Sequence, residues 1–478
     1  MPLRLPSFLT RACTGLLTVL VLMLPLESAS AQERPLTEWE TRARALLKEL
    51  VEYNTTLSVG DMTKAAEAMA VHMRAAGFPD SDVVVIEAGQ ARKGNLIVRL
   101  RGKDAAKKPI MLLSHIDVVE ANPADWTLPP FEFIEREGTF YGRGVSDDKD
   151  EGALHLTILM RLRAEGWVPE QDIIVALTTD EEGGPNNGVE WLLEHRRDLI
   201  DAGFALNEGG GGRIDPSGGK VSNDVQASEK RVVNFQLEVT NPGGHSSVPV
   251  KDNAISHLSA ALVAIGAWDF PVRLNEVTTA YFTRASQIVL PEMGTAMRAV
   301  VANPANAAAV AALARNPMYN SQMRTTCVAT LLEGGHAMNA LPQRARATVN
   351  CRILPDADAA DVQATLERVV ANPKVVITRT REAAMSPPSP LTPALVQEIE
   401  RVTEEMWPGT PVIPTMSTGA TDGMYLRNAG IPVYGVSGLF YGNSNAHGMN
   451  EHIPTKGFYD GLEFMYRLVK ALTRPGIS

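Results

Sequence analysis

Five short segments of the sequence carry histidine or carboxylate side chains that could bind metal ions. The segments are SHIDVV with His115, GRGVSDDK with Asp147, TTDEEGG with Glu182, NEGG with Glu208 and AHGMNE with His447. Two neutral imidazoles and three carboxylates suit a pair of borderline divalent ions, zinc above all. Isolated histidines and glutamates are common, but five loops of the same ligand class, most of them beside glycine, indicate one assembled metal site.

The elements that must hold these residues alternate between strands and helices. Ile110–Leu113 and Asp172–Thr179 are apolar runs typical of buried strands, and Gly152–Arg163 between them has helical periodicity. A helix near Val189–Leu199 and a short strand, Phe204–Leu206, follow. This alternation predicts an α/β fold class with a mostly parallel central sheet. Ligands of such sheets gather beyond the carboxyl ends of the strands, which is where the five segments fall.

The pattern changes after about Ser228. Arg231–Thr240 and Arg344–Leu354 alternate polar and apolar residues, which predicts antiparallel strands with one buried face. The proline-rich segment Ser386–Pro390 is typical of a linker, and it leads back to further helices and a strand. Alanine-rich Ala305–Ala314 is interpreted as an elaboration of the insert. We therefore predict a signal peptide at 1–31, a catalytic domain at 32–228 and 384–478, and an inserted α+β lid or dimerisation domain at 229–383.

The amino-terminal residues have the features of a cleaved signal peptide. Arg4 and Arg11 give a basic start, Gly15–Leu26 is apolar, and Ala29-Ser30-Ala31 matches the small-x-small cleavage pattern. The apolar run is shorter than the roughly 20 residues of a membrane anchor. We expect cleavage near Ala31 and export to the periplasm or the medium, without a stable membrane anchor.

Charge and cysteine content exclude several classes of protein. The net charge is −10 and no basic tract is present, so nucleic acid is not an expected partner. Only Cys327 and Cys351 follow the signal peptide, which excludes a disulfide scaffold and a cysteine-based zinc site. Whether these two cysteines pair across strands or remain buried thiols is open at this point.

Six segments in order, the five above and NPGGHSS, resemble the co-catalytic zinc exopeptidases of the acetylornithine deacetylase, succinyl-diaminopimelate desuccinylase and glutamate carboxypeptidase type. The WTLPPF segment, Trp126–Phe131, is more like the carboxypeptidase S branch. The resemblance covers nearly the whole chain after the signal peptide. It implies hydrolysis of an amide bond in a small peptide or an N-acyl amino acid, by an exopeptidase or an aminoacylase.

The resemblance also implies two zinc ions per chain, for which Co²⁺ or Mn²⁺ could substitute. Asp147 matches the carboxylate that bridges both ions, through a cis peptide bond to Asp148. Asp148 itself remains an alternative ligand. The other metal ligands implied are His115 and Glu208 for one ion, and Glu182 and His447 for the second.

Three further residues match catalytic positions of the family. Glu181 matches the general base, and adjacent glutamates in a strand would point apart, so that only Glu182 binds metal. Asp117 matches the carboxylate that orients His115 through its other ring nitrogen. His245 in NPGGHSS matches the oxyanion donor, which often comes from a partner subunit in a homodimer. His336 is the alternative to His245, because it also lies in a glycine turn.

Residues for the substrate's carboxylate are also implied. Arg352 and Asn339 match residues that hold this group, and Gly419 in STGATDG lines the pocket. The alternative for Arg352 is an ordinary exposed arginine of a strand. An exported binding protein that has lost activity is the alternative function, although such a protein would not need Glu181. No GxSxG or HExxH motif occurs, which disfavours serine and single-zinc hydrolases.

Overall fold

The computed structural model describes residues 34–382 and 384–475. The predicted signal peptide at 1–31 lies outside the described residues. Within the described ranges, no helix combines the length and the apolar character needed to cross a membrane.

The described strands, in chain order, are β1 (Val83–Glu87), β2 (Gly94–Leu100), β3 (Ile110–His115), β4 (Ile134–Arg136), β5 (Thr139–Tyr141), β6 (Ile173–Thr178), β7 (Phe204–Asn207), β8 (Gly211–Ile214), β9 (Lys220–Glu229), β10 (Arg231–Thr240), β11 (Gly244–His245), β12 (Thr326–Gly334), β13 (Ala340–Leu341), β14 (Arg344–Ile353), β15 (Val376–Glu382), β16 (Val412–Ser417), β17 (Val433–Gly435) and β18 (His452–Pro454). The described α-helices are α1 (Glu38–Glu52), α2 (Met62–Ala75), α3 (Lys149–Ala164), α4 (Gly188–His195), α5 (Arg197–Ile200), α6 (Ala254–Gly266), α7 (Glu276–Ala285), α8 (Pro291–Ala302), α9 (Ala307–Ala314), α10 (Pro317–Met323), α11 (Ala359–Val370), α12 (Pro393–Met406), α13 (Gly423–Asn428) and α14 (Thr455–Leu472).

The main sheet has nine described strands in the order β1-β2-β6-β3-β7-β17-β9-β16, with β8 paired to β9. Its centre, from β6 to β17, is parallel, and β1 and β2 are antiparallel at one edge. Every residue of β3 and β6 is buried, because helices α1, α2, α3 and α14 cover one face and α4, α5 and α13 the other. The predicted α/β class with a largely parallel central sheet is confirmed.

A second, antiparallel sheet has the order β12-β14-β10-β15 and lies entirely within residues 326–382 and 231–240. Val233, Phe235 and Leu237 of β10 are buried under α6 and α11, while the alternating residues are not. The one-sided strands expected from the sequence are therefore present. Cys327 and Cys351 lie opposite each other in the register of β12 and β14 and form a disulfide, which the sequence left open.

Helices α7 to α10 form a helical unit that packs on the main sheet. Their apolar residues, including Phe282 and Leu313, surround Ile413 of the edge strand β16. Arg284 Nη1 donates to the carbonyl oxygen of Val412 at 2.8 Å, and Gln322 Nε2 donates to that of Met416 at 2.6 Å. The unit thus covers an edge that would otherwise expose unpaired carbonyl groups. Ala305–Ala314, interpreted as an elaboration of the insert, belongs to this unit, which packs on the main sheet.

Candidate metal centre and active site

The predicted metal ligands converge at one edge of the main sheet. His115 ends β3, the Glu181-Glu182 pair follows β6, and Glu208 follows β7. These three strands are parallel neighbours, so their carboxyl ends lie side by side. Asp147 precedes α3, and His447 lies in the loop between β17 and β18. Five loops that are distant in sequence therefore meet at one place.

Asp147 lies between the two predicted imidazole ligands. Its Oδ1 is 3.0 Å from His115 Nε2, and its Oδ2 is 3.0 Å from His447 Nε2. The His447 Nε2 atom is also 3.0 Å from Glu182 Oε1. Ligand atoms of His115, Asp147 and Glu182 lie within 4.8 Å of one another, and the same holds for His115, Glu181 and Glu208. The first group consists of predicted metal ligands, and the second joins the predicted ligands His115 and Glu208 to the predicted base Glu181. With His447, the five predicted ligands thus form one cluster with enough donors for two neighbouring ions.

Asp148 occupies a different place from Asp147. The peptide bond between them is cis, as the family resemblance implies. Asp148 is buried, and its Oδ2 accepts a hydrogen bond from the backbone N–H of His115 at 3.3 Å. Of the two residues, Asp147 is therefore the one placed to bridge two metal ions.

The electrostatics of the centre favour the binding of cations. Burial raises the pKa of Glu208, and the nearby charges of Asp147 and Glu151 add to this effect. Hydrogen bonds to Asp147 and Glu182 raise the pKa of His447 to about 10. The carboxylates outnumber the histidines, so their mutual repulsion is not compensated by the protein alone. Divalent metal ions would supply the missing positive charge, and the donor set fits them.

The role of Asp117 differs from the expected one. His115 Nδ1 lies 3.0 Å from the backbone carbonyl oxygen of Asp117 but 3.7 Å from its carboxylate, which is too far for a hydrogen bond. The carboxylate instead accepts hydrogen bonds from the backbone N–H groups of Glu181, at 3.2 Å, and Glu182, at 3.0 Å. The backbone carbonyl group of Asp117 therefore orients the His115 imidazole. The Asp117 carboxylate instead fixes the backbone of the predicted base Glu181 and of the predicted ligand Glu182.

Glu181 and Glu182 do not lie in a strand, so the expected alternation along a strand is the wrong reason for their separation. Strand β6 ends at Thr178, and the pair occupies a turn that follows Asp180 with its positive φ of 60°. A Cβ atom on Gly184 would lie 2.0 Å from the Asp180 carboxylate, so this turn requires glycine there. Glu182 lies in the donor group with Asp147, and Glu181 lies in the group with Glu208.

Two charged residues of the quoted motifs join the Asp147 loop to the His447 loop, and the sequence reasoning missed both. Arg143 Nη1 pairs with Glu451 Oε2 at 2.6 Å, and both side chains are almost completely buried. Glu451 accepts from the backbone N–H of Ser146 at 2.8 Å, and Arg143 Nη2 donates to the carbonyl oxygen of His447 at 3.3 Å. Their positions inside GRGVSDDK and AHGMNE were the available signal.

His245 and Asn339 lie next to each other where strands β11 and β13 pair. His245 is on β11, which pairs with β13 so that His245 lies opposite Ala340, next to Asn339. The backbone N–H of Ser246 donates to the Asn339 carbonyl oxygen at 3.0 Å. Both side chains are exposed, and among the described residues no hydrogen bond joins either of them to a predicted metal ligand. The alternative, His336, is exposed too.

Arg352 and the STGATDG turn are brought together. Arg352 Nη1 donates to the carbonyl oxygen of Thr418 at 3.2 Å, beside Gly419. Burial and the charge of Arg352 together lower the pKa of Lys230 to about 7. Burial and the charge of Arg381 likewise lower the pKa of Arg352. Lys230 and Arg381 were not expected from the sequence, because their proximity depends on how β10 pairs with β14 and β15. Lys230 is buried and its Nζ donates to the carbonyl oxygen of Arg324 at 2.6 Å, so it adds positive charge behind Arg352.

The sequence is similar to that of a known family and of several of its members. Residues 111–471 match the family model described as peptidase family M20/M25/M40. The human N-fatty-acyl-amino acid synthase/hydrolase PM20D1 is 28% identical over 388 residues, covering 78% of this chain and 75% of that protein. The carboxypeptidase S-like 2 protein of Dictyostelium discoideum is 27% identical over 387 residues, covering 79% of this chain and 74% of that protein.

Solved structures show the same fold. An M20 family metallo-carboxypeptidase from Sulfolobus solfataricus superimposes with a TM-score of 0.66 at 18% identity, covering 90% of this chain and 98% of that one. The YXEP protein of Bacillus subtilis, a dinuclear metal-binding peptidase, has a TM-score of 0.58 at 12% identity, covering 91% and 98%. The family match spans most of the sequence and every predicted metal ligand. The chain belongs to peptidase family M20/M25/M40, a family of metal-dependent hydrolases that cleave C–N bonds.

Proposed function

We propose that this protein is a two-zinc enzyme that hydrolyses the amide bond of an N-acyl amino acid or small peptide with a free carboxylate. The observation that carries the proposal is the position of Asp147, 3.0 Å from an imidazole on each side and in one donor group with His115 and Glu182. Histidine and carboxylate donors without cysteine favour zinc, and Co²⁺ or Mn²⁺ accept the same ligands.

The chemistry of the proposed reaction is shared between the metal ions and Glu181. When bound, the ion pair supplies a polarised carbonyl group and a water with a pKa lowered to about 7. Glu181 accepts the proton of the attacking water and donates it to the leaving nitrogen. Burial raises the pKa of Glu181 well above its usual range, which suits a carboxylate that must hold this proton briefly. Glu182, on the other side of the turn, is left to bind metal.

The free carboxylate of the substrate is proposed to bind at Lys230, Arg352 and Arg381. Arg352 already donates to the carbonyl oxygen of Thr418, which fixes the position of its guanidinium group. The names of the relatives support a substrate of this class, because an N-acyl amino acid and the target of a carboxypeptidase both end in a free carboxylate.

A homodimer is proposed to complete the site. The edge strand β12 exposes Val328, Leu331 and Leu332, each with 60–67% of its surface accessible, and Val263 of α6 is exposed as well. An exposed apolar edge strand favours pairing with a second copy. Because His245 is exposed and forms no hydrogen bond with a predicted ligand among the described residues, we assign it to the oxyanion of the partner's site, with Asn339 beside it.

Export through a signal peptide at 1–31 is also proposed. The basic start, the apolar run and the small residues before Gln32 support it, and so does a disulfide, which persists in oxidising compartments. Amino-terminal sequencing of protein recovered outside the cytoplasm should begin at or near Gln32. An intact Met1 on that protein would contradict this proposal.

The metal and base assignments are tested by a pair of isosteric variants. Glu181→Gln should retain about two zinc ions per chain and lose roughly 10²–10⁴-fold in kcat, whereas Glu182→Gln should lose metal. Elemental analysis and N-acetyl amino acid hydrolysis provide the two measurements. Active, folded protein with only trace metal would refute the two-zinc proposal. Metal loss in Glu181→Gln with full occupancy in Glu182→Gln would exchange the two roles.

The partner role of His245 is tested by complementation. His245→Ala should keep its metal and thermal stability and lose about 10²–10³-fold in kcat, the usual effect of removing one oxyanion donor. Mixed heterodimers of His245→Ala and Glu181→Ala chains should regain activity, because one of their two sites has both groups. A confirmed heterodimer without activity would place the donor in its own chain, and a wild-type rate for His245→Ala would remove the role.

A further inference from the structure

A cavity of about 400 Å³ lies between the helical unit and the loop that carries Glu208. Its floor is the glycine run Gly209–Gly212, and its walls include Thr418, Tyr281 of α7 and Met318 of α10. Two separate parts of the sequence therefore enclose it, the catalytic sheet and the helical unit that covers strand β16.

The cavity borders the proposed active site at two points. Gly209, which lines it, directly follows the predicted ligand Glu208. Thr418, which also lines it, accepts the hydrogen bond of Arg352 through its carbonyl oxygen. A group in the cavity would thus lie one residue away from a predicted metal ligand and beside the residue that positions Arg352.

The lining fits an uncharged apolar group. Tyr281, Met318 and Leu439 contribute apolar surface, and the two charged lining residues neutralise each other, with Arg213 Nε 3.1 Å from Asp224 Oδ2. The floor cannot be filled by side chains, because a Cβ atom on Gly210 would lie 1.9 Å from the Gly435 carbonyl oxygen. A cavity of about 150 Å³ accommodates benzene, so this one has room for a larger ring system or a branched chain.

We infer that this cavity is a specificity pocket for the side chain of the amino acid that carries the substrate's free carboxylate, and that the helical unit sets its size. The inference rests on the proposed function and adds the substrate class: amino acids with large, uncharged, apolar or aromatic side chains. Met318 is the residue through which the helical unit controls access, since it lines the cavity and is 54% exposed.

The test uses the zinc-loaded protein and a panel of N-acetyl amino acids with glycine, alanine, leucine, phenylalanine or tryptophan. The wild-type kcat/KM for N-acetyltryptophan should exceed that for N-acetylalanine at least tenfold, since each well-packed methylene is worth about 10–200-fold. Met318→Trp should lower this ratio about tenfold or more by filling the cavity. Leu290→Trp is the matched control, because Leu290 is exposed on the same unit and does not line the cavity. Its ratio should equal that of the wild type.

Two further measurements separate the possible failures. Binding of N-acetyltryptophan to the Glu181→Gln variant, followed by calorimetry, should weaken at least tenfold when Met318→Trp is added. Such binding without hydrolysis by the wild type would support the pocket and refute the proposed function. Hydrolysis with equal rates across the panel would refute the pocket alone. If Met318→Trp instead changes the preference between N-octanoylalanine and N-acetylalanine and leaves the side-chain ratio intact, the cavity binds the acyl group and the inference is overturned.

Discussion

The position of the Asp117 carboxylate predicts a measurable division between metal binding and catalysis. The two carboxylate oxygens of Asp117 each accept a backbone hydrogen bond, one from the N–H group of Glu181 at 3.2 Å and one from that of Glu182 at 3.0 Å. In Asp117→Asn only one of these oxygens remains, so only one of the two N–H groups keeps its acceptor. The amide nitrogen would face the other N–H group. A hydrogen bond to a charged group contributes about 1.5–3 kcal/mol, which corresponds to roughly 10- to 150-fold. We expect a combined loss of this size in metal affinity and kcat.

The assay measures each part separately. Competition with a chelator gives the metal affinity, which depends on Glu182, and kcat at saturating zinc reports on Glu181. Asp172→Asn is the matched control, because Asp172 is buried at the other end of β6 and accepts from the backbone N–H of Gly102 at 2.8 Å. It should lower stability and leave both site parameters unchanged. The reasoning is refuted if Asp117→Asn behaves like this control and loses only stability.

Three other predictions concern buried groups outside the catalytic turn. Between pH 7 and 10.5 the unfolding free energy of the wild type should rise more steeply with pH than that of Lys230→Met, by up to about 1.4 kcal/mol per pH unit. The reason is that the pKa of Lys230 is lowered in the folded state, so that the unfolded chain binds more protons in this range. Parallel pH profiles of the two proteins in denaturant titrations would contradict this. Replacing Cys327 and Cys351 by serine should lower the unfolding free energy by roughly 3.5 kcal/mol, because the disulfide closes a loop with a sequence separation of 24 and so restricts the unfolded chain. Thiol titration of the denatured wild type should find both cysteines oxidised. Arg427→Met should lower the unfolding free energy by about 3–5 kcal/mol in the same titrations, because the buried carboxylate of Glu229, 2.8 Å from Arg427, would lose its partner charge. Adding Glu229→Gln to this variant should restore part of the lost unfolding free energy.

The sequence predicted the residue types of the metal centre well, because chemistry restricts them to few choices. His115, Asp147 and His447 lie together as expected, and the segments of Asp147 and His447 also contain glycine. The individual hydrogen bonds of the centre could not be predicted from the sequence. Whether the carbonyl group or the carboxylate of Asp117 faces His115 depends on backbone angles that one sequence does not specify.

Long-range packing accounts for the other differences between expectation and structure. The alanine-rich α9 has the composition of a helix in any context, so nothing local indicates that its unit covers β16. Likewise, the proximity of Lys230 to Arg352 and Arg381 follows from the register of a sheet whose strands are far apart in sequence. One boundary also differs: α3 begins at Lys149, three residues before the predicted Gly152.

The order of strands in the main sheet has a consequence for how the protein is made. Strand β17 pairs with β7 on one side and β9 on the other, although the chain emerges from the ribosome with more than two hundred residues between β7 and β17. Until the last part is synthesised, the nascent sheet has an unpaired edge at β7, and such edges invite association with other chains. His447 also arrives only then. The two-ion centre therefore cannot be completed before this part of the chain is present, and we expect a chain that ends before His447 to lack one of the five proposed ligands and to be inactive.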